Sequence, residues 1–351
     1  MKMDSLRLCV FAFKFLCVCL LLLGTSCQKE PASLYIYTWS ETFDPVLIDA
    51  FEKEFDCRVT IESYDSNEAM YAKLKAIGSG YDIINPSSYY VTILEGQGML
   101  DPIDAALIPN IEFIDREMLE ILGDDLPIRS SVPYVLSYVA IGYRKDKLAQ
   151  APTSWNIFAD SSYKGRMTML DDNREVLGAA LLYLNDDPNT VDNVKIEKAT
   201  EQVIAWKKNL AKFDSLQPRQ GIADAEFFVV QMYSKDLIQV MKEEPRVGLA
   251  QPQEGSTYSS DHLAIPKGAP HRELAHAFIN FLHRPENAVI NMRYTGYTCP
   301  NRAAYELLED EIKNNTAYFP PQEFLKKSFL IKDLGTSLKL YHAAWNEIKG
   351  S

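Results

Sequence analysis

RVTIESYDSNEAMYAKLKAIGSGYDIINP, residues 58–86, changes its repeat twice. Over 58–64 apolar and polar side chains alternate, as on a strand with one buried face. From Ser66 the period lengthens: Met70, Leu74 and Ile77 share one face of a helix that Ser66 can cap and Gly78 can end. A short strand, YDIINP (81–86), then runs through SSYY into the helical VTILEGQG. Upstream the order is the same. The β-rich LYIYTW (34–39) precedes PVLIDAFEKEF (45–55), whose residues 47, 48, 51 and 55 form a helical face. Strand, helix, strand, helix, strand, helix predicts an α/β fold on a right-handed parallel sheet. Ligands of such sheets sit beyond the carboxyl ends of strands. Those ends are Trp39 and Ser40 for the first strand and Ser87 to Tyr89 for the third.

A second α/β unit follows. VLSYVAIGYRK (135–145) reads as a strand, RMTML (166–170) as another, and DNREVLGAALLYL (172–184) as a helix. Residues 190–213 read as a longer amphipathic helix, DLIQVM (236–241) and VGLAQP (247–252) as strands. DHLAIP (261–266) is a strand, with helices at 271–283 and after Pro285. No Gly/Ser-rich linker divides the halves, which points to lobes joined by several strands, as at a hinge.

The 351 residues are enough for two cores, and 47% hydrophobic with 24% charged content is that of a globular chain. The N-terminus reads separately. Lys2 and Arg7 precede an apolar run from Cys9 to Leu23, and LGTSC ends in small residues before Cys27. That pattern is a secretory signal over 1–26, with lipid attachment expected at Cys27 and a polar tether over 27–33. Without the signal the chain carries 33 basic against 47 acidic side chains, a net −14. Such a balance argues against nucleic acid, whose partners present basic surfaces. Cys57 and Cys299 read as small buried hydrophobes. The histidines are scattered without CxxC or HExxH companions, so neither a metal nor a cofactor is expected.

Chemistry concentrates in LDDNREV (170–176). Asp171 and Asp172 lie at a strand's carboxyl end, with Arg174 and Glu175 in the next helix's first turn. These acids can cap the helix and favour its dipole. They can equally form a catalytic carboxylate pair, or seat a cationic ligand together with Asp261 in the loop TYSSDHLAIP. No G-x-S-x-G elbow and no P-loop accompany them, which weighs against an enzyme. Trp39, Tyr89 and Tyr90 stand beside hydroxyls at strand ends. Aromatic faces near carboxylates suit a ligand with methylene spacers and ammonium ends.

From about residue 33 onward the chain resembles the periplasmic spermidine/putrescine-binding proteins of polyamine ABC transporters. YTWSE (37–41), YDSNEAMYAKLKA (64–76), YDIINPSSYYV (81–91), LDDNREV, DHLAIP, INFLHRPENA (279–288) and GYTCPNRAA (296–304) carry the likeness, in order. The resemblance implies a two-lobed, type II solute-binding fold with its ligand cleft between lobes joined by hinge strands. The expected lobes are 34–136 with 262–305, and 137–261 with 306–351. It also implies a monomeric, lipid-anchored periplasmic protein, not an enzyme, that delivers a polyamine to a membrane permease. By the same resemblance Trp39 is an aromatic wall, and Ser40 and Ser87 offer acceptors. Tyr89 and Tyr297 flank the methylene chain, Asp172 and Glu175 hold one amine end, and Asp261 an inner amine. The alternatives are another small solute or a carboxylate-dependent hydrolase.

Four usual contacts of that family are changed. A Tyr is Thr42 here, a Trp is Ser259, a Gln is Ile331, and a further cleft Trp falls near Met241 or Lys242. Less aromatic wall, and a Lys242 pointing inward, would favour putrescine over spermidine. The opposing expectation is a solvated Lys242, with Tyr258 swinging in for the lost Trp.

Overall fold

The computed structural model describes residues 32–78, 80–124 and 128–351, so the expected signal peptide and Cys27 lie outside the described residues. Strands β1 (Ala32–Trp39), β2 (Cys57–Tyr64) and β3 (Ile83–Ile84) alternate with helices α1 (Pro45–Phe55), α2 (Asn67–Ile77) and α3 (Ser88–Gly96). Local chemistry sets these boundaries. Asp44 accepts from the Val46 N–H at 2.9 Å with Pro45 opening α1, and Ser66 accepts from the Ala69 N–H at 3.1 Å to start α2. Met70 and Leu74 are buried as the spacing predicts, but Ile77 is 47% exposed. It lies in the last turn before Gly78, past the cluster of Tyr37, Tyr64, Met70 and Leu74.

The remaining strands are β4 (Leu100–Asp101), β5 (Ser131–Arg144), β6 (Met167–Met169), β7 (Leu210–Phe213), β8 (Val229–Tyr233), β9 (Val247–Ala250), β10 (Thr257–Pro266) and β11 (Phe329–Leu330). Among the described residues the sheet runs β2-β1-β3-β10-β5-β8-β6-β7. Its flanks are parallel, as in β1–β3 and β6–β8, while its centre is the antiparallel pair β5–β10. These two strands serve both lobes. β10 meets β3 at Ala264 opposite Ile84, and the far end of β5 pairs with β8 and β9. Between those ends Tyr138 faces Tyr258 and Val135 faces Asp261, with a bulge between Asp261 and His262. Val135–Tyr138 and Ser259–Leu263 therefore lie side by side.

Helices α4 (Asn173–Tyr183), α5 (Asn193–Lys207), α6 (Ser234–Glu243), α7 (Arg272–Leu282), α8 (Pro285–Thr295) and α9 (Leu338–Gly350) cover the sheet. The strand expected at DLIQVM is part of α6. A short apolar run does not separate strand from helix by itself, and Leu237, Ile238 and Val240 bury a helical face. One core packs Phe51 edge-on to Phe278, with centroids 4.9 Å apart; a second surrounds the fully buried Trp155 and Trp206. Cys57 and Cys299 are free, buried thiols.

Candidate functional site

The carboxyl ends of β1, β3, β6 and β8 converge on the strand pair β5–β10, and each contributes a polar or aromatic group. Ser87, three residues beyond β3, is bridged to Asp261 of β10, and its hydroxyl donates to Asp261 Oδ1 at 2.8 Å. Asn67, the first residue of α2, donates to Ser87 Oγ at 3.1 Å and to the Tyr89 hydroxyl at 3.3 Å. Tyr89 is thus tied to the same end as Asp261. Trp39 packs edge-on against Tyr64 at 4.6 Å, and its indole N–H has no acceptor among the described residues. Burial, and then the charge of Asp261, raises the Tyr64 phenol. Ser40 stands exposed in the turn after β1. Asp261 itself is buried, and burial pushes its carboxyl up to about 6 despite the Ser87 bond and the nearby Lys235.

The four charged residues of DDNRE separate into different roles. Asp171 is half-exposed and pairs with Lys349 of α9. Asp172 caps α4, accepting from the Arg174 and Glu175 N–H groups at 2.8 and 3.2 Å. Arg174 turns away: it donates to the Lys332 carbonyl and to Asn189, and lies over the Tyr341 ring. Glu175 turns inward and is 4% exposed. It accepts from the Tyr233 hydroxyl at 3.3 Å and from the Thr257 hydroxyl. Gly178, one turn on, makes that approach possible, because a Cβ there would meet Thr257 Cγ2 at 2.8 Å. Burial, then the charge of Asp172, pushes Glu175 up to about 7, while burial raises Asp172 against its two N–H donors. Burial above all raises the Tyr89 phenol, with Glu68 and, least, Asp172 adding to it. Capping and an inward-facing acid pair coexist in one helix turn.

Four residues that sequence reasoning passed over belong here: Asn67, Thr257, Tyr233 and Lys235. Thr257 shares the face of β10 that carries Ser259 and Asp261, a period-2 relation open to reading beforehand. Tyr233 and Lys235 stand at the carboxyl end of β8, hidden by the strand expected at 236–241. Tyr297 is buried after Gly296, whose left-handed φ of 77° ends α8, and the Lys235 ammonium lies 4.8 Å from its ring centroid.

Three of the four changed contacts have structural explanations. Thr42 donates to the Trp39 carbonyl at 2.8 Å and so closes the turn after β1. Ile331 is buried beside Tyr258. Tyr258 is itself fixed in the core, stacked on Tyr138 at 5.2 Å, and does not substitute for a cleft aromatic. Lys242 is corrected as well: its ammonium donates to the Arg293 carbonyl at 2.9 Å near the C-terminus of α8. Tyr233, rather than Met241 or Lys242, is the aromatic residue against Glu175.

Residues 46–320 match the family model of the bacterial extracellular solute-binding proteins. The spermidine/putrescine-binding periplasmic protein of Escherichia coli is 33% identical, over 90% of this chain and 91% of its own length. Among solved structures, the spermidine/putrescine ABC transporter substrate-binding protein PotD of Streptococcus pneumoniae superposes with a TM-score of 0.84 at 30% identity, covering 91% of this chain and 99% of that one. The TpPotD lipoprotein of Treponema pallidum gives a TM-score of 0.82 at 32% identity, covering 90% and 99%. The chain belongs to the bacterial extracellular solute-binding proteins, in the family that includes the spermidine/putrescine-binding periplasmic proteins.

Proposed function

We propose that this protein binds a polyamine in the periplasm and delivers it to the permease of an ABC transporter. One observation carries the reading: Asp172 and Glu175 at the start of α4 and Asp261 of β10 are carboxyls pushed upward by burial beside aromatic rings, with Tyr233 on Glu175 and Tyr89 tied through Asn67 and Ser87 to Asp261. Such acids become ionised at little cost only when a cation enters, whereas an anionic solute would call for Arg side chains or helix N-termini. Arg174, the nearest guanidinium in sequence, is directed elsewhere.

In this reading Asp172 and Glu175 hold one terminal ammonium, Tyr89 and Tyr297 flank the methylene chain, Trp39 closes one wall, and Ser40 and Ser87 supply acceptors. Residues 34–136 with 262–305 form one lobe, and 137–261 with 306–351 the other. The chain works as a monomer, held at the membrane by lipid on Cys27. Putrescine is favoured over spermidine, because Thr42, Ser259 and Ile331 leave a shorter aromatic wall.

Native mass spectrometry of protein purified without added ligand, followed by calorimetry with putrescine and spermidine, tests the function. Tight one-to-one binding, with the polyamine recovered unchanged, is the expected result. Recovery of a cleaved product would favour the hydrolase, and absence of binding would overturn the reading.

A further inference from the structure

Helix α6 begins at the cleft. Tyr233, just before it, reaches Glu175, and the Ser234 hydroxyl lies 3.3 Å from both the Ser137 hydroxyl and the Tyr138 N–H of β5. The next residue, Lys235, is held by its surroundings rather than left to solvent. Its carbonyl is packed so closely on Gly296 that a Cβ there would come within 2.9 Å. Its ammonium sits 4.8 Å from the centroid of the Tyr297 ring. Burial opposes that charge, but Tyr297, Asp236 and Asp261 together hold the ammonium more firmly than in a free lysine. Burial raises the Asp236 carboxyl, against the pull of Lys235 and then of Arg219. Lys242 donates to the Arg293 carbonyl, whereas Arg174, which donates to the Lys332 carbonyl and to Asn189, lies in the field of Asp172 and Glu175 and not of Asp261.

A polyamine would place a cation and its methylene flanks on the Tyr297 face and beside Asp261. A lysine already there offers the same chemistry, an ammonium at the end of an alkyl chain. A diamine needs no seat for an inner amine; a triamine does. Lys235 is thus an internal cation on the Tyr297 ring and in the field of Asp261.

We propose that Lys235 is a specificity-determining residue whose ammonium takes the inner-amine seat between Tyr297 and Asp261, so that the cleft selects a diamine over a triamine. The inference rests on the polyamine reading above. A second ammonium forced beside Lys235 meets like-charge repulsion in a site of low dielectric, where such repulsion is poorly screened.

Competition calorimetry with putrescine and spermidine is run on the wild type, Lys235→Met, which keeps the alkyl length, and Lys235→Arg, which keeps the charge. The wild type is expected to prefer putrescine by about tenfold or more, and Lys235→Met to shift the ratio toward spermidine by about tenfold or more. Lys235→Arg is expected to retain the diamine preference, which a merely structural role for the side chain would not require. Spermidine outcompeting putrescine on the wild type overturns the proposal without any variant, so a poorly folding variant does not protect it. An unchanged ratio in Lys235→Met overturns it while leaving the polyamine reading intact. Binding of neither amine by the wild type overturns both.

Discussion

The Ser87 hydroxyl donates to the Asp261 carboxylate at 2.8 Å, joining the loop after β3 to the bulge in β10. Asn67 donates to the same hydroxyl oxygen, which directs the Ser87 proton onto the carboxylate. A hydrogen bond to a charged group is worth about 1.5–3 kcal/mol, so Ser87→Ala should cost the ligand-free protein roughly that much stability and, by leaving Asp261 harder to ionise, also weaken polyamine binding. Asp261→Asn removes the charge itself and should weaken it at least as much. Titration calorimetry checks both; wild-type affinity in both variants would remove Asp261 from the ligand's field.

Asp172 does two things that substitution can separate. Asn caps a helix about as well as Asp, so Asp172→Asn should keep the thermal midpoint of the ligand-free protein. It should still lose about 2–5 kcal/mol of polyamine affinity, the usual cost of deleting one partner of a desolvated charge pair. Asp172→Ala should show the same affinity loss and also about 0.5–2 kcal/mol of lost stability, read by denaturant unfolding. If Asp172→Asn binds normally, the residue is only a cap.

The strand–helix alternation of the first lobe was legible because its periods are long and its caps explicit. Ser66 and Asp44 cap α2 and α1 through side-chain bonds that the residue types alone suggest. DLIQVM was not legible: six apolar-rich residues fit a strand as well as a helix, and tertiary packing of Leu237 and Ile238 decided it. That one ambiguity moved the end of β8 and concealed Tyr233 and Lys235. The direction of long side chains was equally beyond reach. Arg174 and Glu175 are neighbours in sequence, yet one clamps Asn189 and the other faces Thr257. Lys242 looked available as a cleft cation, and Lys235, seven residues earlier, lies on the Tyr297 ring.

A two-lobed protein linked through β5 and β10 should close by bending where Asp261 and His262 interrupt the register. Small-angle scattering should give a smaller radius of gyration with saturating putrescine than without it. Superimposable profiles would argue against ligand-driven closure.

Cys27→Ala should release the processed protein from membranes into the soluble periplasmic fraction with unchanged putrescine affinity, because the substitution lies outside the residues that form the cleft. Fractionation with metabolic lipid labelling checks this. Absence of lipid label on the wild type, or label persisting in Cys27→Ala, would exclude lipid on Cys27 as the anchor.

Affinity and ligand-free stability should respond to pH in opposite directions. Burial holds Glu175 up to about 7 and Asp261 up to about 6. A cationic ligand binds their ionised forms, so putrescine affinity should fall as pH drops through 7 and then 6, with protons released on binding in between. The sign for folding is reversed. A carboxyl whose folded pKa lies above its unfolded value of about 4.3 for Glu or 3.9 for Asp adds stability below that value, and the contribution is lost as pH rises through the folded pKa. Relative to Glu175→Gln, ligand-free wild type should therefore lose thermal stability as pH rises from about 4.3 to about 7, over the range where its putrescine affinity climbs. Calorimetry in two buffers of different ionisation enthalpy counts the released protons, and thermal melts across the same range supply the other half. Parallel trends, or a Glu175→Gln variant with the same pH profiles as wild type, would mean that Glu175 does not titrate in the free cleft.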